Sequence, residues 1–134
     1  DLAALSRELV IENGGDIYLT GEKKRVAGIY AGESPLSNKI GLELQPEELP
    51  AAICTSSGTV GHSLSFGLAD AVVILSKDAC LADATATAVG NLVRTPEDIE
   101  RALKKVQAIK GISGALIIAG KSMGAWGEIK LVKL

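Results

Sequence analysis

Residues 71–92 read AVVILSKDACLADATATAVGNL, and this stretch decides the fold. Its first five residues are apolar with no polar alternation, which predicts a central strand that is covered on both faces. From about residue 79 to residue 92, Ala82, Ala86 and Val89 recur on one narrow face, which predicts a helix. The stretch therefore predicts a buried strand that is followed directly by a helix.

Further helix and strand signals come after this stretch. A second helix is predicted to begin near Thr95, because Pro96 then occupies the first helical position, and to end at Gly111. Residues 115–119 are again uniformly apolar and predict a second buried strand. Residues 128–134 predict a last strand at an edge of the sheet, because lysines interrupt it. Two consecutive helices thus separate the two buried strands.

The first half of the chain is predicted to consist mainly of short strands. Leucines at helical spacing predict a helix from residue 1 to about residue 8, and the sequence NGGD at residues 13–16 predicts a tight hairpin turn. Strands linked by short loops, with two consecutive helices, predict an α+β fold with a mainly antiparallel sheet and both helices on one face. The strands expected in this half are residues 10–11, 17–19, 26–30, 40–44 and 51–55.

Length and composition favour one globular domain. The chain has 134 residues, of which 47 % are hydrophobic and 22 % charged, a balance that argues against disorder. With a net charge of −2 and one Trp, two Tyr and one Phe, it lacks the basic, aromatic surface that nucleic acid requires. No apolar run approaches the roughly 20 residues needed to span a bilayer. Nucleic-acid and membrane partners are therefore not expected.

The two cysteines, Cys54 and Cys80, indicate the redox state of the compartment in which the protein is expected. They lie far apart without Cys-x-x-Cys spacing, which favours buried free thiols over a disulfide and a reducing, cytoplasmic location. The chain starts without a secretory signal and without an initiator Met, so we expect it to be part of something longer.

Asp83 and Thr87 form the most specific pair of candidate site residues. On a helix, positions i and i+4 lie on the same face, so this carboxylate and this hydroxyl can converge. Both are hard oxygen ligands of the kind that Mg²⁺ or Ca²⁺ prefers. The alternative is structural: the acid complements the helix dipole, and the threonine bonds back to the preceding turn.

Residues 55–67 are rich in Gly, Ser and Thr and hold the chain's one His. Backbone N–H groups freed by glycines, together with hydroxyls, can cradle a phosphate, although an ordinary loop explains the same composition. His62 is a candidate base or phosphate contact, or else a solvated loop residue. With one His and two distant Cys, a typical zinc site is not supported, and no motif supports a nucleophilic triad.

Two further features have both a structural and a functional interpretation. The turn at Gly14, Gly15 and Asp16 is explained by a hairpin alone, or Asp16 faces a ligand lodged over the sheet. Trp126 lies among small residues and is either a core anchor or the wall of a pocket.

Together these segments resemble the ApbE-like superfamily, whose best-known members are Mg²⁺-dependent FAD:protein FMN transferases. The matching pieces are VIENGGDI at residues 10–17, CTSSG at residues 54–58 and LADATATA at residues 81–88. The sequences of residues 58–63 (GTVGHS) and 28–32 (GIYAG) are more similar still to an uncharacterised branch of that superfamily. The resemblance covers essentially all of the chain, but only about the C-terminal half of a superfamily member.

The resemblance implies a T-fold-like architecture and a flavin nucleotide such as FAD near residues 55–67. Asp83 and Thr87 would hold Mg²⁺ against the pyrophosphate, and His62 would be the catalytic residue. The chain departs from the transferases after His62, where residues 63–67 (SLSFG) stand in place of an Ile-Ile-Asp-Pro continuation, so that the Asp and the Pro are absent. The nucleotide-binding residues implied are Gly14, Gly15, Asp16, Thr55, Ser56, Ser57, Gly58 and Thr59.

Three functional hypotheses follow from these observations. The leading one is a flavin- or nucleotide-binding, Mg²⁺-associated protein with flavin-transfer or pyrophosphatase activity. The alternative is a non-catalytic binding protein for a small phosphorylated or pterin-like ligand, and the third is a self-associating structural domain. The partners expected are a nucleotide, the missing N-terminal segment of the same protein, and a second copy of the chain.

Overall fold

A computed structural model of the protein describes residues 7–59 and 68–134. These residues form two α-helices and nine strands, with short 3₁₀ turns at Pro46–Glu48 and Pro96–Asp98. In chain order the elements are β1 (Leu9–Asn13), β2 (Asp16–Thr20), β3 (Arg25–Gly28), β4 (Ile40–Leu44), β5 (Ala51–Ser56), β6 (Ala71–Ser76), α1 (Ala79–Gly90), α2 (Ile99–Gln107), β7 (Ile112–Ala119), β8 (Ser122–Gly127) and β9 (Leu131–Lys133).

The strands form two sheets. The larger has the order β1-β2-β5-β6-β7-β8, and the smaller has the order β3-β4-β9. Every neighbouring pair in both sheets is antiparallel. The described residues therefore form an α+β fold with antiparallel sheets, as the sequence predicts.

The larger sheet is buried on both faces. On one face, Val72 and Ile74 of β6 pack with the small side chains of α1 and the apolar stripe of α2. On the other face, Val73 and Leu75 pack with Leu42 and other side chains from the smaller sheet. Two predictions are thus confirmed: the uniformly apolar strand is covered on both sides, and both helices lie on one face.

Several predicted boundaries are wrong. Of the helix predicted at residues 1–8, residues 1–6 lie outside the described part of the chain, and Arg7 and Glu8 are not helical. The Glu8 carboxylate instead accepts a hydrogen bond from the backbone N of Glu22 at 2.8 Å and pairs with Arg25 at 2.9 Å. The strand predicted to reach residue 30 ends at Gly28.

The second half also departs from the prediction. The α-helix α2 ends at Gln107 rather than Gly111, and the predicted last strand is shorter and belongs to the smaller sheet, where it does form an edge. Strand β8 was not predicted. Trp126 on β8 is half-buried against the helix-side core, in agreement with a core role.

The two cysteines differ in burial. Cys54 is a buried free thiol, as predicted, whereas Cys80 is free but exposed at the start of α1, so the prediction of a buried thiol is wrong there. Within residues 7–59 and 68–134, neither helix has both the length and the apolar character that a bilayer span requires.

Candidate functional site

A cavity of about 560 Å³ lies where the β1–β2 turn, the ends of β3 and β5, and helix α1 meet. Its volume falls within the roughly 300–1,000 Å³ that small-molecule sites occupy. The lining residues are Glu12, Gly14, Gly15, Asp16, Ile17, Gly28, Ile29, Tyr30, Thr55, Ser56, Ser57, Asp83 and Thr87.

Most of the candidate site residues named from the sequence line this one cavity. Gly58 and Thr59 do not: the Gly58 N–H donates to the carbonyl of Ala69 at 3.0 Å, and the Thr59 hydroxyl donates to Asp70 at 3.0 Å. His62 lies outside the described residues. Sequence reasoning missed five lining residues, namely Glu12, Ile17, Gly28, Ile29 and Tyr30. The signals for them were the VIENGGDI segment, which contains Glu12 and Ile17, and the GIYAG segment, which contains the other three; both contributed only to the family resemblance.

The two-glycine turn is held against the end of β5. The Thr55 N–H donates to the carbonyl of Gly15 at 2.9 Å, and a Cβ added to Gly15 would lie 2.7 Å from the Thr55 carbonyl oxygen. No side chain fits at that distance, so residue 15 must be glycine for the turn to close on β5. Gly14 has a φ of +62° in the two-residue loop of the hairpin, a conformation that glycine adopts at no steric cost.

Helix α1 supplies the other wall. Asp78 is its N-cap, and its carboxylate accepts a hydrogen bond from the Leu81 N–H at 3.0 Å. Ala82 and Ala86 are fully buried against the sheet, so the next residue after each, Asp83 and Thr87, lies on the cavity side. The first turn of α1 holds no acidic residue, so Asp83 lies too far along the helix for the dipole alone to account for it.

Two carboxylates line the cavity, and a buried thiol lies beside one of them. Asp16 on β2 is paired in register with Cys54 on β5, which is 1 % exposed and donates through Sγ to the Ala79 carbonyl at 3.6 Å. Partial burial and, secondarily, the charge of Asp83 raise the pKa of Asp16. Burial, followed by the neighbouring Asp16, raises the pKa of Cys54 to about 12, so its thiol stays protonated. Asp16 and Asp83 are like charges that a bound cation would stabilise.

The donor set is suited to a shared rather than an all-protein metal site. In the part of the chain that the structure describes, no three His, Cys, Asp or Glu side chains are arranged to hold an ion. Mg²⁺ is commonly bound through one or two carboxylates, with waters and substrate phosphates completing its octahedron. The carboxylate of Asp83 and the hydroxyl of Thr87 fit that pattern.

Asp16→Asn is expected to stabilise the ligand-free protein at neutral pH. Folding raises the pKa of Asp16 above its ordinary value of 3.8, so this group's contribution to stability is present below that value and is lost as the pH rises through the folded pKa. Asparagine does not titrate, and we expect a gain of a few tenths of a kcal/mol at pH 7 because solvent screens a half-exposed group. The measurement is the urea midpoint of both proteins between about pH 3 and pH 7. A difference in midpoint that stays constant with pH contradicts the assignment.

The fold and the cavity together define a class: an α+β protein with antiparallel sheets and a cavity lined with carboxylates and hydroxyls beside a two-glycine turn. Comparison with known proteins shows the family to which the chain belongs. The chain belongs to the family described as "AbpE bacteria", which matches residues 1–125.

The chain is also similar to archaeal proteins named UPF0280. It is 50 % identical to the one from Methanosarcina acetivorans over 121 residues, which are 90 % of this chain and 47 % of that protein. For Methanococcus aeolicus the identity is 46 % over 92 % of this chain and 51 % of the relative. For the protein from Methanocella arvoryzae the identity is 42 %, over 98 % of this chain and 54 % of the relative. The chain thus spans about half the length of these curated relatives.

Proposed function

We propose that this cavity binds a flavin or related nucleotide through Mg²⁺, and that the chain derives from the fold of the FAD:protein FMN transferases. One observation carries the proposal: Asp83 and Thr87 line the same cavity as the Gly14–Gly15–Asp16 turn and the end of β5. In the sequence these segments are separate, and each independently resembles a transferase motif. Their meeting at one cavity is what a shared ligand site requires.

The architecture supports the same proposal. Strands β5 and β6, the consecutive helices α1 and α2, and strands β7 and β8 form an antiparallel unit with both helices on one face. We assign this unit to the T-fold type that the resemblance implies.

Each part of the site has a role in this proposal. Asp83 and Thr87 would hold Mg²⁺, which when bound neutralises charge on a pyrophosphate. The hydroxyls of Thr55 and Ser57, at the end of β5, are placed to donate to phosphate oxygens. Asp16 lies beside Asp83 and adds negative charge that favours the cation.

The reaction proposed is FMN transfer, a form of phosphoryl transfer in which positioning and electrostatics dominate. The hydroxyl of an acceptor threonine, or of water, attacks the FMN phosphorus. The bond from that phosphorus to the bridging oxygen breaks, AMP leaves with the oxygen, and the hydroxyl proton is released. We propose His62, which lies outside the described residues, as the proton acceptor.

Mg²⁺ and FAD together are expected to stabilise the full-length gene product against heat. A ligand at 100 times its dissociation constant adds about 2.7 kcal/mol to the free energy of unfolding. The measurement is a thermal-shift titration with FAD and Mg²⁺, alongside FAD with EDTA and Mg²⁺ alone, followed by chromatography for AMP.

The outcomes separate the hypotheses. Stabilisation that needs both components, with release of AMP, supports transfer or hydrolysis. Saturable stabilisation with FAD recovered intact supports the alternative of a non-catalytic binding protein. No stabilisation by FAD in the presence of Mg²⁺, beyond that given by Mg²⁺ alone, contradicts the proposed site.

A further inference from the structure

The cavity has two chemically different ends. Asp16, Asp83 and Thr87 supply oxygen groups on the helix side of the larger sheet. Glu12, Ile17 and residues 28–30 line the other end, where Ile17 and Ile29 pack with the smaller sheet and Glu12 is the cross-strand partner of Ile17. Tyr30, in that second group, is 56 % exposed. It is the only aromatic side chain among the described residues that line the cavity.

The backbone on both sides of Tyr30 is fixed. Its neighbours Ile29 and Ala31 are 5 % and 0 % exposed, so they anchor the segment in the core and direct Tyr30 to the opposite, open side. Three hydrogen bonds hold these neighbours: Ile29 N–H to the Ile40 carbonyl at 3.1 Å, Asn38 N–H to the Ile29 carbonyl at 2.9 Å, and Ala31 N–H to the Ser37 hydroxyl at 2.8 Å. The backbone that carries the Tyr30 ring is therefore held in place at the cavity.

A glycine precedes Tyr30 by two residues. Gly28 also lines the cavity, and a Cβ added there would meet only Leu134, at an ordinary contact distance of 3.4 Å. An isolated exposed tyrosine would need no explanation on a protein surface. This one lies instead on the wall of a cavity that also contains the carboxylate of Asp83, the hydroxyl of Thr87 and, without a side chain, Gly28. That geometry suits a planar group laid against the tyrosine ring.

We propose that Tyr30 is the specificity-determining residue of the site, a platform on which a planar heteroaromatic ring of the ligand stacks. The inference rests on the proposed function and adds to it an orientation: the ring lies at the Tyr30 end and the phosphates at the Asp83 end. It predicts that the cavity selects ring-bearing phosphate ligands over bare pyrophosphate. Loss of an aromatic stacking partner weakens binding of a planar base by about 5- to 150-fold.

The test compares a ligand that has a ring with one that has none. Affinities of the full-length gene product for FAD and for inorganic pyrophosphate, both with Mg²⁺, are measured by calorimetry for wild type, Tyr30→Ala, Tyr30→Leu and Tyr30→Phe. We expect Tyr30→Ala and Tyr30→Leu to weaken FAD binding by about 5- to 150-fold and to leave pyrophosphate binding within about 2-fold. Tyr30→Phe keeps the ring and should bind both ligands as wild type does.

Two results would contradict the proposal that a ring of the ligand stacks on Tyr30. Equal weakening of FAD and pyrophosphate would show that Tyr30 acts on the shape of the whole site, and no weakening of either would place the ring elsewhere. In both cases pyrophosphate still binds wild type with Mg²⁺, so the proposed function stands. If wild type binds neither ligand, the proposed function fails and this inference fails with it.

Discussion

Asp83→Asn is expected to remove the Mg²⁺-dependent part of nucleotide binding and, with it, any AMP release. Asparagine keeps the shape of the side chain and one oxygen but lacks the charge that a hard divalent cation requires. Loss of an outer-shell partner of a metal ligand costs about 10- to 100-fold in metal affinity, and we expect loss of the ligand's own charge to cost at least 100-fold. The measurement is calorimetric titration of Mg²⁺ in the presence of FAD, together with an assay for AMP.

The control for this variant is Glu100→Gln. Glu100 is exposed on α2, pairs with Lys104 at 3.5 Å and does not line the cavity, so the same change of charge there should leave binding unaltered. The Asp83 variant should fold, because the residue is an exposed helix position. A variant that binds Mg²⁺ and FAD like wild type, with an unchanged melting temperature in the absence of ligand, contradicts the metal role of Asp83.

Sequence reasoning succeeded where one local signal determined the outcome. The uninterrupted apolar run of β6 is typical of a strand buried on both faces, and the alanines of α1 mark the face that packs on the sheet. The convergence of Asp83 with the two-glycine turn came instead from family resemblance. Spacing alone places Asp83 and Thr87 on one helix face, but it does not say what that face meets.

The elements that were missed depend on distant partners. Strand β8 contains Gly124 and Gly127, so its sequence lacks a strand pattern, and it forms because β7 supplies a long template. A side chain at Gly124 would lie 2.6 Å from Ile99, so this glycine reflects the close approach of α2 to the sheet. The smaller sheet joins β4 to β9, which are far apart in the sequence, and no local pattern encodes that pairing.

The cavity-lining residues that sequence reasoning missed also depend on distant parts of the chain. Tyr30 follows a strand, and the sequence gives no sign that its buried neighbours force its ring toward the cavity. Ile17 and Gly28 line the cavity only because the smaller sheet packs against the larger one near the β1–β2 turn. Polar and glycine-rich motifs identify the residues at the Asp83 end of the cavity, whereas the Tyr30 end is defined by tertiary packing.

Ile74→Ala is expected to cost about 2–5 kcal/mol of the free energy of unfolding, the usual range for truncating a buried isoleucine. Ile74 is 0 % exposed in β6, one of the two central strands of the larger sheet, on the face that packs against the helices. Ile118→Ala, also 0 % exposed but on the face covered by the smaller sheet, should cost a similar amount. The measurement is the urea concentration at the midpoint of unfolding, compared among variants whose free energy of unfolding depends on urea concentration with the same slope.

Ile11→Ala is the matched control, because it makes the same change on the edge strand β1, where the side chain is 42 % exposed. We expect it to cost under about 1 kcal/mol, since most of the transfer and cavity contributions are absent at an exposed site. Comparing the three variants tests separately the helix-covered face of the larger sheet and the face covered by the smaller sheet. If Ile118→Ala costs no more than Ile11→Ala while Ile74→Ala is severe, the smaller sheet does not cover the larger one. The Tyr30 end of the cavity, which depends on that packing, would then be lost as well.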